Sequence, residues 1–329
     1  MLIAIGLIIA GFILVIKGAE WLVDGSANLA RHLYISELTI GLSVVAFGTS
    51  LPELVVNIFS TLDGANDLAI GNIIGSNISN ILLILGTAAT ITPLYVQTST
   101  VWKELPLSLL AALVLFVMAN DHLIDSAPVA TLSKADGLSF LGFFLIFLWY
   151  TFGMKKVEED GHTQESYNPF ISVGHIIAGI LILVVGGKLT VYGAEAFTVQ
   201  LGVSEALIGL TVLAIGTSLP ELATSVTAAV KQKADIAVGN IIGSNIFNIF
   251  WILGLSATIR PLTFEPALNV DLLVVVGATI LLFLVVHTGK IHSRLLFWRQ
   301  KEGHIIQRSE GIFMLSLYAI YLVYLGWRG

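Results

Sequence analysis

The stretch GTSLPEL occupies Gly48–Leu54 and recurs at Gly216–Leu222. Each copy sets a glycine, a proline and a glutamate inside an apolar run long enough to cross a membrane. Pro52 has no N–H to give the carbonyl of Gly48, its ring disfavours helical geometry at Leu51, and Gly48 itself is permissive. The expected result is an interrupted helix, one half ending near Ala46 or Phe47 and the next starting within Ser50–Pro52. Carbonyls freed at membrane depth survive only inside protein or beside a wet cavity. Such oxygens suit Na⁺ or Ca²⁺, and Thr49 and Ser50 add more. Glu53 follows at once, and Glu221 repeats it. A carboxylate in a bilayer is costly and persists when paired, protonated or bound to a cation. The bases nearest in the membrane, Lys17 and Lys188, are distant in sequence, so a mobile cation is the simplest compensator. The plainer alternative is a capping box, Ser50-x-x-Glu53, that merely restarts a kinked helix. Two copies at corresponding places weigh against it.

The rest of the composition agrees with a membrane setting. Of 329 residues, 56% are hydrophobic and 12% charged, against roughly 25% charged in soluble domains. Mean hydropathy is +0.91. Apolar runs near the length of a bilayer span recur throughout, at 2–23, 38–61, 68–91, 104–120, 137–154, 170–197, 205–230, 235–259, 268–288 and 311–326. The first is expected to be a span, not a removed signal peptide. The absence of cysteine excludes disulfides, thiolate metal sites and Cys nucleophiles. Two polar stretches, 155–169 and 289–309, are too short to fold as domains. The second carries Phe297 and Trp298 among basic residues and suits either anionic lipid or topology control.

A shift of 168 residues aligns Ser36–Gly86 with Ser204–Gly254 without a gap, with 29 identities in 51 positions. GAE, at Gly18–Glu20 and Gly193–Glu195, echoes the relation in the first helix of each half. The chain therefore reads as a first five-helix repeat over 1–154, a cytoplasmic linker over 155–169 and a second repeat over 170–329. Five is odd, so the second repeat enters from the opposite side, as in many secondary transporters. With both termini outside, cytoplasmic loops collect Arg31, Lys103, Lys155, Lys156, Lys231, Lys233, Lys290, Arg294, Arg299, Lys301 and Arg308, against Lys134, Arg260 and Arg328 outside, a ratio of 11 to 3. The positive-inside rule favours this orientation. The fold class is thus all-α: a polytopic membrane protein of ten transmembrane helices in two inverted repeats.

GNIIGSNISN at Gly71–Asn80 and GNIIGSNIFN at Gly239–Asn248 follow the broken spans. Asn72, Ser76 and Asn80 share one helix face, as do Asn240, Ser244 and Asn248. Asn72, Asn77, Asn240 and Asn245 suit helix–helix glue at least as well as ion contact. For Ser76, Asn80, Ser244 and Asn248, ion or water contact is the favoured reading. Inversion would bring Glu53 and Glu221 to one midplane cavity. Carbonyls, hydroxyls and amides would then complete the six to eight oxygens Ca²⁺ takes, or bind several Na⁺. No His or Cys accompanies the glutamates, which disfavours zinc or copper. The seven histidines lie mostly at loops or span ends, His162, His292 and His304 among them, and read as solvated surface.

GTSLPE with GNIIGSN, present in both halves, resembles the prokaryotic Na⁺/Ca²⁺ exchangers of the cation/Ca²⁺ exchanger superfamily, over nearly the whole chain. The resemblance implies an ion-binding core of helices 2, 3, 7 and 8, against which helices 1 and 6 slide. It implies Glu53 and Glu221 as central ligands, joined by Thr49, Ser50, Ala46 and Ser76 from the first half and Thr217, Ser218, Ala214 and Ser244 from the second. The alanines would act through their carbonyls, and Asn80 and Asn248 would face the middle of the cluster. Some relatives have Asp where this chain has Asn248, an acid associated with K⁺ use, so Asn argues mildly against K⁺ co-transport and against H⁺ drive. The H⁺-driven branch typically shows GNxxE where this chain has GNIIG. The linker leaves no room for the regulatory region of animal exchangers.

The leading expectation is a secondary antiporter, not an enzyme, that expels Ca²⁺ in exchange for Na⁺ by alternating access in the cell (inner) membrane. Its partners are Ca²⁺, Na⁺ and the bilayer, without a cofactor or nucleic acid. Stoichiometry, divalent selectivity and oligomeric state stay open. H⁺/Ca²⁺ exchange on the same scaffold is the first alternative and a cation channel the second. An intramembrane enzyme is disfavoured, because HExxH is absent and GTSLP is not GxSxG.

Overall fold

A computed structural model describes residues 2–121, 129–153, 168–200, 214–295 and 304–328. Among them, eight helices are long and apolar enough to cross a membrane, and one bent pair makes a ninth such span. In chain order they are α1 (Leu2–His32), the pair α2a (Glu37–Thr49) and α2b (Leu51–Asp63), α3 (Asn66–Ile91), α4 (Thr100–Met118), α5 (Lys134–Phe152), α6 (Pro169–Gln200), α8 (Ala234–Ile259), α9 (Asn269–Leu295) and α10 (Arg308–Arg328). Between α6 and α8 stand α7a (Ala214–Thr217) and α7b (Leu219–Val230). The expected span at 205–230 begins on residues outside those described, as does most of the linker 155–169.

Several ends differ from expectation for local reasons. Helix α1 continues past its apolar run to His32. Asp24 there pairs with Lys231 at 2.6 Å, and Arg31 and His32 suit the negative end of the helix dipole. Helix α9 likewise runs into the basic stretch, to Leu295. Residues 296–303, with Phe297 and Trp298, lie outside the described residues. Helix α5 starts on a capping box, Ser133 with Asp136. Helix α2b ends on Gly64, whose φ of 78° favours a residue without Cβ.

The chain is not wholly α. Leu94–Val96 (β1) pairs antiparallel with His304–Ile306 (β4), and Thr131–Leu132 (β2) with Leu262–Thr263 (β3). These pairs lie on opposite faces. On the face of β1 and β4, Lys233 pairs with Glu37 at 2.5 Å and Gln97 donates to Asp235 at 2.6 Å. On the other, Arg260 reaches the Leu62 carbonyl at 3.4 Å and Arg328 pairs with Asp271 at 2.8 Å. His304 corrects the surface reading. It is 1% exposed, because β4 tucks it beside α9, with Nδ1 3.2 Å from the Val286 carbonyl and its ring stacked near His287.

The centre of the molecule is α8, buried along nearly its whole length. Gly239 and Gly243 let it approach the backbone of α2a at Leu38 and Leu42. Phe247 and Phe250 pack on Phe143 and Phe144 of α5. To one side, α1 and α6 touch backbone to backbone. A Cβ on Gly18 would sit 2.8 Å from the Gly179 carbonyl, and one on Gly186 2.8 Å from Val15 N.

Candidate ion-binding site

The two GTSLPEL copies fold alike. Ser50 has φ −82° and ψ 7°, and Ser218 has φ −86° and ψ 3°, in the bridge region that ends one helix and begins another. The axis bends by 48° between α2a and α2b. The interruption is narrower than the sequence suggests. The first half runs on to Thr49, because Ser50 N–H still bonds the Ala46 carbonyl at 3.0 Å, and Leu54 N–H bonds Ser50 at 3.1 Å. The carbonyl that loses its donor is that of Gly48, opposite Pro52. Ala46 also receives the Thr49 hydroxyl at 3.3 Å. Its counterpart Ala214 opens the described part of α7a.

Neither Ser50 nor Ser218 caps its helix with its side chain, so the capping-box alternative falls. Ser50 Oγ donates instead to Glu221 Oε1, across the two halves, at 3.2 Å. The arrangement is reciprocal: Thr49 and Ser50 stand beside Glu221, and Thr217 and Ser218 beside Glu53. The two glutamates, each 1% exposed, are close enough to repel one another when both are charged. Lys17 does not compensate them, being paired with Glu20 at 2.7 Å.

Asn80 and Asn248 lie in matching π-helical stretches, Ser79–Leu85 and Phe247–Leu253, a local winding frequent at functional sites. The first packs on α7b and the second on α2b, the half-helices that carry the glutamates. Ser76 and Ser244 are buried one turn earlier. Glu53 Oε2, Glu221 Oε2, Asn80 Oδ1, Asn248 Oδ1, Ser218 Oγ and Ser244 Oγ are all buried without a hydrogen-bond partner. Buried polar atoms are normally satisfied. These six open oxygens belong to residues singled out from the sequence and are of the kind a hard cation takes, while Thr61 Oγ1 and Thr224 Oγ1 on the same half-helices are open as well.

Asn57, Ser225 and Ser256, near this set, were not singled out from sequence, whereas Asn240 was read there as helix–helix glue or ion contact. Asn57, one turn after Glu53, bonds the Ala69 carbonyl at 2.7 Å and accepts from Ser256 at 2.7 Å. Asn240 accepts from Thr49 at 3.0 Å and donates to Ser225 at 3.0 Å. The spacing of buried polar positions on α2b (Glu53, Asn57, Ser60, Thr61) is the signal that would have found Asn57. A separate cavity of about 480 Å³ lies among α3, α9 and α10, lined by Val274, Leu281, Leu317 and Tyr321. Its wall is almost entirely apolar, which unsuits it to ions.

The family model described as sodium/calcium exchanger protein matches residues 3–153 and 171–327. The inner membrane protein YrbG of Escherichia coli strain K12 is 37% identical, over 99% of this chain and 98% of its own length. The sodium/calcium exchanger MaX1 of Methanosarcina acetivorans is 30% identical over 97% of each. Among solved structures, the sodium-calcium exchanger NCX_Mj soaked without Na⁺ and Ca²⁺ superposes with a TM-score of 0.82 at 32% identity, covering 98% of this chain and 99% of that one.

Proposed function

The chain belongs to the sodium/calcium exchanger protein family, and on that premise we propose that it is a secondary antiporter that moves Ca²⁺ out of the cell in exchange for Na⁺. The observation that carries this reading is the reciprocal cradle. Each glutamate faces hydroxyls of the other half, and six buried oxygens lack partners around the pair. Two carboxylates demand two positive charges at membrane depth. One Ca²⁺ supplies them with few ligands beyond the oxygens present. Two Na⁺ supply them equally, so the cations compete for one site. A third Na⁺ would make each cycle carry net charge.

We propose the ligand set as Glu53, Glu221, Thr49, Ser50, Ser76, Asn80, Thr217, Ser218, Ser244 and Asn248, with the carbonyls of Ala46 and Ala214. The architecture that goes with it is ten spans in two inverted repeats, residues 1–154 and 170–329, joined by a cytoplasmic linker. Supporting the inversion, α2b leads from the break to the face of Arg260, whereas α7b leads to the face of Glu37. Supporting an inner-membrane location is the full-length similarity to YrbG. Alternating access would come from movement of α1 and α6 together against the rest, as their backbone contact allows.

The test is Ca²⁺ flux in vesicles reconstituted with the purified protein, driven separately by a Na⁺ gradient and by a pH gradient. Flux with Na⁺ alone is expected. Flux driven only by the pH gradient would replace Na⁺ by H⁺ on the same scaffold. Glu53→Gln and Glu221→Gln should each abolish Na⁺-dependent flux, and near-normal flux in both would remove the proposed site.

A further inference from the structure

Four buried asparagines join the two halves, and one of them, Asn77, is anchored to backbone. Asn77 Nδ2 donates to the backbone carbonyl of Asn245 at 3.3 Å. A carbonyl only accepts, so this contact fixes which end of the Asn77 amide is which. Asn77 Oδ1 then accepts from Asn248 Nδ2 at 2.9 Å. The corresponding bond in the other direction runs from Asn80 Nδ2 to Asn245 Oδ1, also at 2.9 Å. Turning over either Asn80 or Asn248 alone would oppose two acceptor oxygens at that distance. As a result Asn80 Oδ1 and Asn248 Oδ1 are the buried ends left without a partner, on segments packed against the two glutamate-bearing half-helices.

We infer that Asn77 and Asn245 are positioning residues that turn the oxygen, not the NH₂, of Asn248 and Asn80 toward the ion. The two orientations of an amide have nearly the same shape, so packing alone chooses weakly between them. They differ completely for a cation, which is attracted by Oδ1 and repelled by the NH₂ group. With a neutral amide at both places, the site depends on this choice in a way that a site with a carboxylate there would not. A carboxylate presents oxygen either way round.

That difference supplies a test a merely structural role would not pass. The inference rests on the two-glutamate site proposed above, so the measurement is equilibrium ⁴⁵Ca²⁺ binding to the purified full chain, which does not depend on the counter-ion. Asn77→Leu keeps the branching of the side chain and removes the acceptor that holds Asn248. It is expected to weaken Ca²⁺ binding by about tenfold, the scale of one charge-assisted contact. Combined with Asn248→Asp, the same Asn77→Leu change should cost less than about twofold, because a carboxylate has no wrong way round and loses an unfavourable acceptor neighbour. Asn245→Leu with and without Asn80→Asp is the independent companion pair, with elution as a single monodisperse species checking the fold of each protein. Equal losses with and without the aspartate, or no loss in the single variants, would overturn the inference. If Glu53→Gln binds Ca²⁺ like the unmodified chain, it is the site itself that fails, a separate result.

Discussion

Thr49 donates its hydroxyl to Asn240 Oδ1 while standing beside Glu221. Thr49→Val keeps the shape, leaves the Asn240 oxygen buried without a donor, and takes one oxygen from the ion cradle. A loss of roughly 1–3 kcal/mol is expected from the orphaned acceptor, seen as a lower unfolding temperature in detergent, together with weaker Ca²⁺ binding. Ser256→Ala breaks the bond to Asn57 Oδ1 and should cost similar stability while leaving Ca²⁺ binding close to unmodified. If both variants lose binding equally, Thr49 acts only through packing. Glu53, Glu221 and their hydroxyl neighbours were legible in the sequence, because a costly residue repeated in register calls for a reason. The exchange of partners between halves was not, since Ser50 and Glu221 meet only once the halves are packed. Nor was the polarity of Asn248, which depends on Asn77 donating to a backbone carbonyl across the interface.

Among whole elements, the pairing of α1 with α6 depends on missing side chains. Gly186 faces Val15 N at 2.8 Å and the Gly11 carbonyl at 2.9 Å, measured from where its Cβ would be. Backbone cannot step aside as a flexible side chain can, so Gly186→Ala forces the helices apart at a cost of about 1–3 kcal/mol. Gly174 is on the same helix with nothing within 4 Å of its Cβ position. Gly174→Ala should be neutral or gain about 0.5–1 kcal/mol of helix stability. Thermal unfolding of the two variants side by side checks the contrast, and Na⁺-driven flux should fall only in Gly186→Ala if the pair must move against the core. The existence of most helices was legible from apolar runs, and the break from Pro52 and Pro220. The π-helical stretches around Asn80 and Asn248 were not, because one extra residue in a turn leaves the hydrophobic pattern nearly unchanged. The two short strand pairs were hidden as well, since β4 lies beside a basic, loop-like stretch and finds its partner about 200 residues away.

For the whole molecule, orientation is the property the sequence predicts most simply. Lys231, Lys233 and β4 share one face with β1, and β2, β3 and Arg260 share the other. Those groupings agree with the sidedness read from basic residues, and they tie loops far apart in sequence into two sets that must flip together. The chain has no cysteine, so a single introduced thiol reports its side without background. Thr98 and Thr263 are exposed and lie on opposite faces. With a membrane-impermeant maleimide on spheroplasts, Thr263→Cys should label at once and Thr98→Cys only after permeabilisation. The reverse pattern would put the basic face outside, against the positive-inside rule, and would turn the proposed direction of Ca²⁺ movement into a question of gradient alone. Labelling of both from the same side would break the inverted arrangement, and with it the reason two copies of GTSLPEL can face a single ion from opposite directions.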